Sequence, residues 1–537
     1  MNKPSKITRR EFLRLSGLGL GGLSITSLLS ACGLSLDAEA IVSPLATVLP
    51  TPGSETPSSS GELVEISLRA VRESYDILPG GATRIWQYQG SLLQGPTNSL
   101  QTLPDSYLGP ILRLRRGQTL KVHFENQINE PSIIHWHGLS VPDTMDGHPR
   151  YAIEDGQSYT YEFPIMNRAG TYWYHPHPHQ RTGPQAYYGL AGLLIVSDEE
   201  ETALGLPAGE FDLPLVIQDR LFDNQNQLDY TANPMVGFLG ERILVNGQVD
   251  YTLEAAAAPY RLRLLNGSNA RIYKLAWDDG APLTVIATDG GLLESPVKLN
   301  YVTLAPGERV ELYADFSADP VGTQRRLVSL AFEGGGGGMG MMGGGMMGGS
   351  AAGLPQGAEM EILRLNITRA GQAGPGLPER LAAPGFYAVQ DAVNSRRPRR
   401  FDLTMHMAGL INGRTFEMDS VASDEVVRLG DLEVWEFANL GGGMGMMGGS
   451  DFPHPMHIHG VQFQVLERRL EGGSKRAYNS LSDGFVDSGW KDTVLLMPGE
   501  AVRVLVKFEQ YAGLYLYHCH NLEHEDGGMM RNYRVES

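Results

Sequence analysis

Cysteine is almost missing from this chain: its 537 residues include only Cys32 and Cys519. That excludes a disulfide framework, and it excludes a zinc site built on several thiolates. One bridge between the two stays formally open, although the neighbours of each suggest a different fate. Basic residues are in deficit. Lys and Arg number 43 against 61 Asp and Glu, for a formal net charge of -18. No basic patch is then available to neutralise phosphates, so nucleic acid is excluded as a partner. The acidic balance is that of an ordinary soluble surface, and it is compatible with a cationic substrate. Long helical periodicity is hard to find. Histidine is absent from all of residues 201–370, although the chain holds 14.

What is present begins with an address. Thr8-Arg9-Arg10-Glu11-Phe12-Leu13 reads as a twin-arginine export signal. The apolar stretch behind it is shorter than the roughly 20 residues a spanning helix needs. It ends in Leu29-Ser30-Ala31-Cys32, which resembles a bacterial lipoprotein cleavage site. Residues 1–32 are therefore expected to be a signal. Residues 33–61, rich in Ser, Thr and Pro, are expected to be a flexible tether. The expected location is the periplasmic or extracellular face of the cell membrane, with a lipid on Cys32.

Beyond the tether, 42% apolar and 19% charged residues describe a globular chain, long enough for about three domains of roughly 150 residues. Short alternating runs such as Val64-Glu65-Ile66-Ser67-Leu68 point to an all-β sandwich or barrel. A repeat is visible: Gly170–His177 aligns with Gly513–His520, and Ile134–Gly138 parallels Met456–Gly460. Self-similarity of this kind means duplicated domains. They are expected at 62–200, 201–370 and 390–537. Two low-complexity segments, 334–349 and 441–449, contain only Gly and Met. Their glycine predicts flexible loops.

Four His-x-His elements stand out: His135/His137, His175/His177, His457/His459 and His518/His520. In a strand, residues i and i+2 share a face, so each element offers two imidazoles side by side to a metal. Cys519 lies between His518 and His520 and so points the other way. His454, His524 and Met529 stand nearby in sequence. One thiolate, two imidazoles and a weak axial thioether make a blue-copper electron-transfer site. Structural zinc would want more cysteines than this chain has. The two faces of the Cys519 strand are separated by on the order of 10 Å. Electrons taken up on one face could run to a metal cluster on the other.

The motifs His135-Trp-His-Gly, His175-Pro-His, His454-Pro-Met-His-Ile-His-Gly and His518-Cys-His-Asn-Leu-Glu-His-Glu-Asp-Gly-Gly-Met529 resemble the four copper motifs of the multicopper oxidases, over nearly all of residues 62–537. The likeness is to bacterial three-domain laccases and periplasmic cuprous oxidases. It implies three consecutive cupredoxin-like Greek-key domains, with the ligands in the first and third. It implies four copper ions. His454, Cys519, His524 and Met529 would hold a type 1 copper, and His135 and His457 a type 2 copper. His137, His175 and His520 would hold one type 3 copper; His177, His459 and His518 would hold the other. Asp146 and Glu525 match acidic positions that serve proton transfer in the family. Read alone, Asp146 is equally a turn residue and Glu525 a solvated charge. His123, His148, His179 and His406 receive no role, and His179 reads as a residue behind the ligands or on the surface.

The resemblance implies dioxygen as electron acceptor; the chain is expected to be a monomer, although the sequence does not give the oligomeric state. The donor stays open between a phenolic compound and Cu(I). The Gly-Met segments favour Cu(I), because thioethers are soft ligands. Cuprous oxidases, however, usually carry a longer Met/His-rich insertion, and these loops hold no histidine. Outside the class stand a two-domain copper nitrite reductase, which would lack four His-x-His pairs, and a non-enzymatic or division-associated relative that has lost its ligands.

Overall fold

A computed structural model describes residues 61–537 apart from 335–352, 372–373, 375, 384, 406–407 and 441–451. The export signal, Cys32, the tether, His406 and every methionine of the Gly-Met segments lie outside the described residues. Six β-sheets form three pairs, and helices are short. Among the described residues no helix is long and apolar enough to cross a membrane.

In the first pair, a four-stranded sheet carries Leu63–Tyr75 at its centre, and a five-stranded sheet ends in Gly170–Pro176 and Ile134–His137. The first strand shows the sequence alternation directly. Val64, Ile66, Leu68 and Ala70 are fully buried while Leu63, Glu65, Ser67 and Arg69 are at least partly exposed. Core side chains from both sheets meet, Ile66 and Val122 from one and Leu112 and Leu194 from the other. The last pair repeats this order: Gly513–Cys519 lies between His454–Ile458 and Met530–Glu536. The repeat read from sequence is thus a repeat of topology. The middle pair has seven and five strands around its own core, with Leu262, Leu275, Leu312 and Leu365. This is the all-β, cupredoxin-like architecture expected above.

The alternation fails where function lies. Gly170–Pro176 is buried at every position, as is Gly513–Cys519 after its first residue. One face of each strand belongs to a sandwich core; beyond it the histidine ends of the two strands meet, while Thr171 and Trp173 of the first lie against the middle sheet pair. Tyr515 Oη donates to the Val141 carbonyl at 3.0 Å, and the Leu514 amide donates to Asp143 Oδ2 at 3.1 Å. These contacts seat the third pair against the first. A further apolar cluster, with Tyr107, Trp173 and Leu193 against Val216, Leu244 and Leu265, seats the middle pair.

Candidate metal centre

Strand register places the histidines. Ile134–His137 pairs antiparallel with Gly170–Pro176, setting His135 opposite His175. His454–Ile458 pairs with Gly513–Cys519, setting His457 opposite His518 and Met456 opposite Cys519. Side-chain alternation then sends His518 and His520 to one side and Cys519 to the other.

On the histidine side the two ends of the chain meet. His135 Nε2 is 3.3 Å from His457 Nε2. His518 Nε2 is 3.0 Å from His459 Nε2 and 3.4 Å from His177 Nε2. Two nitrogens bound to one metal ion at roughly 2 Å stand about 3.3 Å apart. The spacing therefore fits ligands converging on shared ions. His137, His175 and His520 gather with ring centroids 4.9–5.6 Å apart. Their nitrogens converge less: the nitrogens of His137 and His175 group with His135 instead. His137 Nε2 lies 3.0 Å from Asp492 Oδ1. His137 Nδ1, His175 Nε2 and both nitrogens of His520 are buried with no hydrogen-bond partner. Buried polar atoms are rarely left this way unless something fills the space between them.

On the other side, Cys519 Sγ is 3.5 Å from His454 Nδ1 and 3.6 Å from His524 Nδ1, and the two nitrogens are 3.2 Å apart. Met529 is fully buried in the same apolar cluster as Cys519. Its amide donates to the His524 carbonyl at 2.8 Å, and its carbonyl accepts from the Cys519 amide at 3.0 Å. The residues present fit copper in type and in spacing.

The second nitrogen of most of these rings is spoken for. His135 Nδ1 donates to the Asp146 carbonyl at 2.7 Å, His457 Nδ1 to the Asp492 carbonyl at 2.8 Å and His175 Nδ1 to the Pro176 carbonyl at 2.9 Å. His459 Nδ1 donates to Asp146 Oδ2 at 2.7 Å. Each bond leaves the lone pair on Nε2, facing inward. His524 is reversed: its Nε2 donates to the Met235 carbonyl at 3.0 Å, leaving Nδ1 toward Cys519.

Burial holds the imidazoles of His137, His175, His177, His457, His459 and His520 well below the ordinary histidine value, and His524 at about 4. Burial also pushes the Cys519 thiol up, so a bound cation is needed to hold it as thiolate. The two acids differ. Burial raises Asp146 over the attraction of His135. Burial pushes Glu525 up too, but His518 and His177 outweigh it and bring the carboxyl to about 2. Glu525 lies 3.2 Å from His518 Nδ1 and 3.4 Å from His177 Nε2.

The remaining histidines stand apart. His123 contacts Glu65 at 2.7 Å near the surface, and His148 contacts Asn532 Oδ1 at 2.8 Å. His179 is half-buried against the Phe416 ring.

Sequence reasoning missed Asp492, Thr493 and Arg309. Thr493 Oγ1 lies 3.2 Å from His137 Nε2 and 3.3 Å from His457 Nδ1. Arg309, from the middle pair, makes a two-pronged bond to Asp492 at 2.7 and 2.6 Å. It also donates to the Thr171 carbonyl at 2.9 Å and the Asp289 carbonyl at 3.0 Å. All three partners belong to different sheet pairs. Nothing local in sequence marks a bond between residues 183 apart.

Two family models described as multicopper oxidase match the chain, at residues 85–201 and 392–537. A laccase from Bacillus subtilis is 31% identical, over 84% of this chain and 90% of its own length. The cell division protein FtsP from Pectobacterium atrosepticum is 31% identical over 99% of both chains. Among solved structures, the McoA multicopper oxidase from the hyperthermophile Aquifex aeolicus superposes with a TM-score of 0.73 at 34% identity. That alignment covers 90% of this chain and 100% of the other.

Arg309→Met should cost about 3–5 kcal/mol of stability, because it leaves the buried carboxylate of Asp492 without the cation that grips it at both oxygens. Guanidinium unfolding of variant and parent checks this. An unshifted midpoint would show that the wedge contributes nothing to the seating of the three sheet pairs.

Proposed function

The chain belongs to the multicopper oxidase family, and on that premise we propose that it couples one-electron oxidation of a donor to the reduction of dioxygen to water. His454, Cys519, His524 and Met529 would hold the type 1 copper, and His135 and His457 the type 2 copper. His137, His175 and His520 would hold one type 3 copper, and His177, His459 and His518 the other. Copper, when bound, supplies one-electron exchange with the donor and a place for dioxygen. The observation that carries the reading is the run His518-Cys519-His520, whose thiol faces one candidate site while its flanking imidazoles face the other.

The chain's own residues do the rest. The Cys519 strand gives a covalent route between the two sites a few bonds long. Reduction of one dioxygen to two waters takes four electrons and four protons, and the site is sealed from bulk water, so protons must come through buried groups. Asp146 is proposed to hold a proton beside His135 and His459, since burial favours its neutral form. Glu525 is proposed to accept and relay protons beside His518 and His177 as a carboxylate. Burial of every ligand keeps reactive species away from solvent.

The donor is proposed to be a phenol or Cu(I). The name of the laccase relative favours the first, and the methionines of 334–349 and 441–449 favour the second. A second reading follows from the cell division relatives, whose names carry no oxidase activity. Against it stands the complete set of ten histidines, one cysteine and one methionine that the motifs require.

Cys519→Ser should abolish the blue band and oxidase activity, because no other soft anionic ligand is available. His457→Ala should keep the blue band and lose oxygen consumption. A visible spectrum and an oxygen electrode, read on both variants, check the division of labour. A blue Cys519→Ser protein would overturn the type 1 assignment.

Replacing the methionines of both Gly-Met segments with Ser should lower Cu(I) oxidation much more than phenol oxidation, with copper content verified. Equal loss of both would assign the loops to structure, and no loss would make them linkers.

The chain is proposed to be exported by the twin-arginine route and anchored by lipid at Cys32. Cys32→Ala should still be exported but should move from the membrane fraction to the soluble one. Each buried methylene of an acyl chain contributes about 0.8 kcal/mol to anchoring. A variant that stays with the membrane argues against the anchor.

A further inference from the structure

We propose that the Asn233–Gly237 turn of the histidine-free middle sheet pair is a working part of the type 1 centre. It positions His524 through the Met235 carbonyl, and it is a barrier that an electron donor meets. The inference rests on the type 1 assignment above.

The turn lies in the connection between the strands Asp212–Arg220 and Arg242–Val245. The Gly237 amide closes it by donating to the Asn233 carbonyl at 2.7 Å. Asn233 Oδ1 accepts from the Met235 amide at 2.8 Å and from the Val236 amide at 3.2 Å. With those amides bound inside the turn, the next two carbonyls serve the third sheet pair. Met235 accepts from His524 Nε2 at 3.0 Å, and Val236 accepts from Asn521 Nδ2 at 3.1 Å. Flanking residues add two grips on Glu523: the Phe238 amide at 2.9 Å and Tyr230 Oη at 2.7 Å. Asn521, Glu523 and His524, within four consecutive positions, thus hold one segment of another sheet pair.

The fit is close. Gly237 has a φ of +91°, and a Cβ there would stand 2.3 Å from Ala270 Cβ and 2.7 Å from Asn521 Nδ2.

The chemistry follows from the ring. An imidazole that donates Nε2–H to a carbonyl carries its lone pair on Nδ1. Nδ1 is the atom of His524 that faces Cys519 Sγ, at 3.6 Å. His454 has no equivalent hold, since its Nε2 has no partner among the described residues. The orientation of this site is therefore set asymmetrically, by a turn that contributes no ligand. A carbonyl acceptor also makes the ring a stronger base, which favours the more highly charged, oxidised ion. Loss of that bond raises the reduction potential. The same turn stands outside the ring: His524 is fully buried, Met235 and Val236 are half-buried, and Asn233 and Pro234 are exposed.

The test compares Asn233→Ala with Asn233→Asp in the full, copper-loaded chain. Alanine removes the clamp, whereas aspartate keeps an oxygen for both amides. Potentiometric titration of the blue band reads the type 1 potential, and thermal unfolding checks the fold. The expected result is a rise in the alanine variant of up to about tenfold in the one-electron equilibrium constant, or 59 mV, with restoration in the aspartate variant. The ratio of kcat/KM for a bulky phenol to that for a small one should rise severalfold in alanine only. Should the alanine variant fail to load copper, Gly237→Ala, which pushes the turn off Asn521, should raise the potential in its place. An unchanged potential in a loaded variant, or equal shifts in Ala and Asp, overturns the proposal. A parent protein with no blue band would overturn the type 1 reading itself, which is a different outcome.

Discussion

A buried imidazole has two nitrogens to satisfy, and only one of them can face a metal ion. Ten histidines meet this constraint in a dry interior, and for several of them the surroundings answer it by pinning the outer nitrogen. The carbonyls of Asp146, Pro176, Asp492 and Met235 do this for four rings, and the Asp146 carboxylate does it for His459. Which nitrogen is pinned decides which points inward. The rings of the large cluster so held present Nε2, while His524 at the cysteine site presents Nδ1. Burial disfavours the charged form of His137, His175, His177, His454, His457, His459, His520 and His524, which leaves their lone pairs available. Remove the pinning groups and the same histidines would be free to turn toward any buried acid, as His137 turns toward Asp492.

The middle sheet pair braces the candidate metal centre although none of its described residues is a candidate ligand. Arg309 reaches across to Asp492, which lies against His137, and it braces Thr171 on the strand that ends at His175. Lys491 in turn pairs with Asp289 and Glu308, both from the middle pair, at 3.1 Å each. These charges are almost wholly buried, so each depends on its partner being present. The network makes the arrangement of three sheet pairs a condition for the arrangement of ligands. The FtsP relative from Pectobacterium atrosepticum aligns over 99% of both chains, so the shared architecture alone does not fix an activity. What equips this chain for redox work is its set of candidate copper ligands.

Much of the site was legible in order along the chain. Four His-x-His elements in strand-like contexts implied paired imidazoles on one face, and the strands Ile134–His137 and Gly513–Cys519 present them so. The placement of Cys519 between two histidines implied opposite faces, and its sulfur indeed lies with His454 and His524. The parallel between residues 134–177 and 456–520 implied duplication, and the strand orders of the first and last sheet pairs agree. Asp492, Thr493, Arg309 and Met235 were not legible. None sits in a metal-ligand motif, and each acts through a contact with a distant part of the chain.

The sequence by itself determined the ligand types, their pairing in twos and the opposition of Cys519 to its neighbours. Those follow from side-chain chemistry and from the alternation of a strand, which every residue carries locally. Only the tertiary structure decided that His135 meets His457 across 322 residues, and that a carbonyl of the middle sheet pair sets the ring of His524. Such contacts come from how three cores seat against one another. Packing of that kind is settled by shape and by the satisfaction of buried polar groups over the whole chain, and no short run of residues encodes it.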